Sequence, residues 1–170
     1  MTSTINISKQ NGVALVVSLI MLLLMTLLAV SSMDSTILEE KMSGNYKNRN
    51  TAFQAAEAGL RAGETYLATT VVLPIFDGTA TGLYQPTPTG NSRWNIVDWT
   101  NNAQVTLYVG ALSGVPANPK YIIEELAPIV DSGGSKEVGT ALENRYYRIT
   151  SQAEGNTSDA VVMLQSTYKR

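Results

Sequence analysis

VALVVSLIMLLLMTLLAVSSM, residues 13–33, runs directly into DSTILEEKMSGNYKNRNTAFQAAEAGLRAGETYL, residues 34–67, and neither segment contains a proline. In the first segment the only polar residues are Ser18, Thr26, Ser31 and Ser32, and none is charged. As a helix, these 21 residues rise about 30 Å, one hydrocarbon thickness. Their hydroxyls can bond back to the preceding turn, so they cost little there. The second segment places Leu38, Met42, Tyr46, Phe53, Ala56, Leu60 and Leu67 at steps near 3.6, which predicts one apolar helix face. Glu57 and Arg61 are an i, i+4 pair in the favourable order. The reading is one long helix, apolar in its first half and the spine of a small domain in its second. Gly44, Gly59 and Gly63 each cost up to about 1 kcal/mol relative to alanine. Gly44, between Ser43 and Asn45, is the expected weak point, read either as a bend or as a place where a packed helix opens.

Flanking charge orients the span. Lys9 precedes it, while Asp34, Glu39 and Glu40 come before Lys41 on the other side. The basic side is cytoplasmic by the usual asymmetry, which puts the C-terminal portion outside. Residues 1–12, MTSTINISKQNG, read as a short polar leader. No small-residue cleavage pattern follows the apolar run, so a secretory signal is the wrong reading. Cleavage is expected before the run, between Gly12 and Val13, and the apolar segment then stays in the mature protein. From periodicity alone, a plain single-pass anchor is the favoured account of the segment.

The remaining residues, 68–170, have the length of one small core. TATGLYQPTPTGNS reads as a loop within 77–92, and Trp94 and Trp99 as lids on a core rather than a contact patch. QVTLYVGAL (104–112), YIIEEL (121–126), YYRITSQA (146–153) and AVVMLQSTY (160–168) read as strands, the last two as a hairpin. Three or four consecutive antiparallel strands packed on the rear half of a long helix make a compact α+β head with a small antiparallel sheet.

Composition narrows the chemistry. There is no Cys and no His, so thiol nucleophiles, the usual zinc sites and His-based catalysis are absent. A net charge of −2, with no basic stripe, gives no case for nucleic acid. Glu124 and Glu125 are adjacent, so in a strand they point to opposite faces and read as a solvated edge, not an acid/base pair. Asp131 in DSGGS lacks the EF-hand pattern and reads as loop. The Asn156 sequon reads as incidental. No catalytic residue, metal or cofactor is expected.

The order of polar leader, glycine, uncharged apolar helix, amphipathic helix and α+β head resembles type IV pilins and the pseudopilins of type II secretion. The blocks ILEEKMSGN and AFQAAEAGLR, with the tail RYYRITSQAEGNTSDAVVMLQSTYKR, are similar to PilX-type minor pilins. The resemblance implies a prepilin leader (1–12), a transmembrane and filament-core helix (13–33), an amphipathic continuation (34–67) and a pilin head (68–170). It implies cleavage by prepilin peptidase at Gly12–Val13 and methylation of Val13. Most pilins carry a glutamate as the fifth mature residue, which neutralises the N-terminal amine of the subunit ahead; here that position is Val17. A subunit without this carboxylate is least penalised at the filament tip, where nothing sits ahead of it.

The implied function is a minor pilin that primes type IV pilus assembly. It would be held first in the inner membrane with its head in the periplasm, and then at the extracellular pilus tip. Its implied partners are other minor pilins, the major pilin, a PilY-type tip adhesin and prepilin peptidase, with adhesion and twitching motility as outcomes. A motor ATPase, which this chain is not, supplies extraction from the membrane. A GspK-like tip pseudopilin is the alternative within the superfamily; an anchored binding domain unrelated to filaments is the alternative outside it.

Overall fold

In the computed structural model the described residues are 11–87, 91–127, 129–130 and 143–170. Most of the expected leader (residues 1–10), part of the 77–92 loop and Asp131 lie outside them. The chain forms two compact units, Met1–Gly44 and Asn45–Arg170. The α+β, pilin-like class expected from the sequence is what is found: a long apolar N-terminal helix, with a small five-stranded sheet packed on its later part.

Helix α1 runs Asn11–Thr69, 59 residues, with Gly44 inside it. In the first unit its side chains from Gly12 onward are exposed, including every large apolar residue from Val13 to Met33. Two of the hydroxyls bond back as expected: Ser18 Oγ donates to Leu15 O and Thr26 Oγ1 to Leu23 O, both at 2.8 Å.

In the second unit the buried face of α1 is not quite the predicted stripe. Ala52, Ala55, Ala56, Gly59, Gly63 and Leu67 face inward, whereas Tyr46 and Phe53 are exposed. The reason is close approach. A Cβ on Gly63 would lie 2.8 Å from Ile149 Cγ2, and one on Gly59 would collide with Ser151 Oγ. Small residues let the helix backbone settle on the strands, and the aromatic side chains are displaced to its flank.

The sheet comprises β1 (Leu83–Tyr84), β2 (Thr106–Leu107), β3 (Lys120–Glu125), β6 (Tyr146–Glu154) and β7 (Val161–Lys169). β3–β6 and β6–β7 are antiparallel, and the β6–β7 hairpin falls where the sequence placed it. β2 pairs antiparallel with the start of β3, but β1 pairs parallel with its end, so the sheet is mixed and not wholly antiparallel as expected: β1 comes from a segment read as loop. β2 is only two residues of the expected 104–112 strand. β1 lies inside the expected loop, and Gly82 makes that possible. It sits at φ +74°, its carbonyl accepts from Ile123 N at 2.8 Å, and a Cβ there would lie 2.9 Å from Thr106 N. A short helix α2 (Arg93–Ile96) follows β1. β4 (Ile129–Val130) and β5 (Glu143–Asn144) form a separate two-stranded ladder.

Both faces of β3 are covered. Tyr121 and Ile123 join Leu67, Phe76, Leu83, Tyr147 and Ile149 under α1, with Phe76 and Tyr147 rings 5.4 Å apart. Ile122 packs on the other face with Val97 and Val105, capped by Trp94 and Trp99. Trp99 Nε1 donates to Trp94 O at 2.9 Å, so the pair closes a core as the sequence suggested. The chain end ties back to the end of the helix: Arg170 Nη2 donates to Thr70 O at 2.7 Å, placing a cation just beyond the C-terminus of α1.

Candidate functional site

The surface with functional content in the first unit is the span itself. From Val13 to Met33 it presents apolar side chains all round, with no charge. A helix apolar on every side is solvated by lipid or by other apolar helices, not by water. Its hydropathy and length suit a membrane crossing. Gly12 and Val13 lie in the first turn of α1 as described, and Val17 one turn further on is half exposed with no carboxylate near it in sequence. The structure therefore leaves the three residues singled out in the sequence on one exposed helical segment, free to contact other chains.

In the head, the second unit, no group of three or more acidic side chains that could hold a metal ion assembles among the described residues. The Glu124–Glu125 pair is corrected in one respect. The two side chains do diverge, but β3 is an interior strand and Glu124 is only 1% exposed, so it is not a solvated edge. Glu124 stands between Tyr84 on β1 and Arg148 on β6. Arg148 Nη1 lies 3.8 Å from Glu124 Oε2, an atom with no hydrogen-bond donor among the described residues. Arg93 on α2 lies over the Tyr84 ring, 5.0 Å from its centroid, and adds positive potential. Desolvation nevertheless dominates and raises the Glu124 carboxyl above the usual range, with Arg148 and then Arg93 pulling it back. Glu125 instead meets Arg145 at 3.6 Å near the surface.

A prediction follows from this carboxyl. Between its ordinary value and its raised value in the folded head, the folded state holds a proton that the unfolded chain has lost. Stability is thus fullest below the ordinary carboxylate range and falls as pH rises through the folded value. Glu124→Gln is expected to flatten that slope. Urea unfolding of the full chain in detergent micelles, from about pH 4 to pH 8, checks it; an unchanged slope in the variant refutes it.

The β6–β7 turn docks on α1. Asn48 Nδ2 donates to Thr157 Oγ1 at 2.7 Å, and Thr157 N donates to Asn48 Oδ1 at 3.2 Å. A Cβ on Gly155 would lie 2.5 Å from Asn48 O. The sequon residue Asn156 is exposed in that turn, whose other residues already serve as a latch. Nothing in the sequence of Asn48 signalled this role, because its partner is 109 residues away.

A long helix with an apolar, uncharged first part and a small sheet on its second part defines a pilin-like subunit, a structural rather than a catalytic class of protein. Two family models agree with that class. PilX N-terminal matches residues 11–61, and Type IV pilus assembly protein PilX C-term matches residues 38–170. The chain belongs to the PilX family of type IV pilus minor pilins. Searches of curated proteins and of solved structures return no match.

Proposed function

We propose that this minor pilin primes pilus assembly and remains at the pilus tip, where it supports a PilY-type adhesin and so serves adhesion and twitching motility. The observation that supports the reading is Val17. At this position a shaft subunit needs a carboxylate, and the whole exposed span offers none. Leaving a neighbour's amine unpaired in an apolar core is strongly unfavourable. The unfavourable term vanishes for a subunit with nothing ahead of it.

The proposal includes a leader ending at Gly12, cut by prepilin peptidase, and a methylated Val13 at the new N-terminus. Before assembly the span sits in the inner membrane with Lys9 on the cytoplasmic side and the head in the periplasm. Other minor pilins and the major pilin are the packing partners of the span.

Gly12→Val is expected to block cleavage completely, because a branched side chain replaces the hydrogen at the last leader position. Intact-mass measurement reads the result. The native chain is expected to begin at methylated Val13, and the variant to retain residues 1–12 and stay in the membrane. Unprocessed native protein in cells that have prepilin peptidase refutes the leader assignment, and so does normal processing of the variant.

A further inference from the structure

β7 ends the five-stranded sheet and pairs with β6 along its full length. Gly155 N donates to Ala160 O at 2.8 Å, and Arg170 N donates to Arg145 O at 2.9 Å. These two bonds fix the phase of the ladder. Hydrogen-bonded pairs alternate in an antiparallel pair, so Val162, Leu164, Ser166 and Tyr168 turn their backbone groups toward β6. Val161, Met163, Gln165, Thr167 and Lys169 turn theirs outward, and among the described residues no strand meets them.

The edge is also unprotected. Natural sheets blunt exposed edges with charge, proline or bulges, but Val161–Tyr168 has no charge, no proline and no glycine. The strand is meanwhile held in place from the helix side. Val162 and Leu164 pack on the cluster of Ala55 and Ala56, and Ser166 Oγ donates to Glu64 Oε1 at 3.0 Å. A firmly seated strand with a bare hydrogen-bonding edge is a template for another strand.

We infer that the outer edge of β7 docks an extended segment of a different protein, added to the sheet as a further strand. Charge defines the occupant further. Exposed Asp159 lies just before the strand and exposed Lys169 at its end, so the segment is uncharged along its middle, basic near Asp159 and acidic near Lys169. A second copy running antiparallel would match these charges, but the two-fold axis of that pairing reverses α1. Asn48 is tied to the β6–β7 turn. The two Asn45 ends, from which each chain leads back to its own span, would then lie at opposite ends of the joined sheet, whereas two subunits anchored in one membrane need them on the same side. A parallel pair of copies cannot close as a two-fold, because the same residues would have to point both toward and away from the partner. The partner's identity as another subunit of the pilus assembly rests on the function proposed above.

The test places photoreactive p-benzoylphenylalanine at Thr167 of the full chain in piliated cells, with Thr100, exposed elsewhere on the head, as the control site. The expected result is an adduct specific to Thr167 that maps to an extended segment of a pilus-assembly protein. Met163→Pro removes only an outward N–H from the edge, and it is expected to cut adduct yield by about tenfold or more. No adduct, an adduct to a second copy, or a yield unaffected by Met163→Pro overturns the inference. A proline-sensitive adduct to a protein outside the pilus assembly keeps the docking edge and overturns the pilus reading instead. Amide hydrogen exchange on the purified full chain in micelles is independent of the variant's folding. The five outward amides are expected to exchange fast and those of Val162 to Tyr168 that face β6 slowly; slow exchange at the outward set also overturns the inference.

Discussion

Gly63→Leu is expected to unfold the head of this protein under conditions where the native chain is stable. On an open helix surface, replacing glycine gains up to about 1 kcal/mol. Gly63 is not on an open surface. Even a single Cβ there meets Ile149 Cγ2 at 2.8 Å and Tyr121 Cδ2 at 3.4 Å. Ile149 is wholly buried and Tyr121 nearly so, within the same cluster as Leu67, Phe76 and Tyr147. Neither can retreat without disturbing β3 or β6. Overpacking of this kind costs about 1–3 kcal/mol for modest additions, and leucine adds three carbons beyond the Cβ. A loss above about 3 kcal/mol is a large part of a domain's whole stability of about 5–15 kcal/mol. Gly44 supplies the contrast, since a Cβ there meets nothing within 4 Å. Gly44→Ala should leave the head unchanged or add helicity. Trp94 and Trp99 cap the far core, so their fluorescence during urea unfolding of the full chain in micelles reports head folding. A Gly63→Leu midpoint equal to that of the native chain would refute the close contact of α1 with the strands at Gly63.

On the proposed tip placement, Val17→Glu is expected to move the protein from the tip of the filament into its shaft. The substitution supplies the carboxylate that a shaft subunit offers to the amine ahead of it. In the membrane the new charge costs about 2.5–3.5 kcal/mol at mid-span by insertion measures, and less here, one turn from the start of the span. In a filament the same carboxylate finds a cationic partner, and the mid-shaft penalty of the native chain is removed. Immunogold labelling of pili reads the outcome as particles along the length rather than at ends. Labels still confined to ends would separate tip placement from the missing charge and leave the Val17 argument without support.

Legibility followed the range of the interaction. The long helix was readable because its signals are local: 21 apolar residues in a row, then a 3.6-residue stripe, with no proline. The β6–β7 hairpin was readable for the same reason, since β-branched and aromatic runs flank a turn. The inward face of α1 was only partly readable. Leu67 and Ala56 were placed correctly, but Phe53 was assigned to a face from which close backbone approach expels it. Hydropathy alone ranks phenylalanine above glycine for burial; the contact with Ile149 and Ser151 reverses that order. Glu124 was misread because the two residues of β1, and the segment carrying Trp94 and Trp99, cover β3 from parts of the chain with no strong local pattern.

The amino-acid sequence by itself determined the uncharged span, the back-bonding of Ser18 and Thr26, the valine at position 17 and the helix-plus-strands class. Each depends on residues within a turn or two of one another, or on an absence that composition alone reveals. Only the tertiary structure decided which small residues carry the helix–sheet contact, that a carboxylate lies buried beside Arg148, and which backbone groups of β7 face outward. Those features are set by pairings between residues far apart in the chain, where the energy lies in the fit between two surfaces and not in the preference of either one.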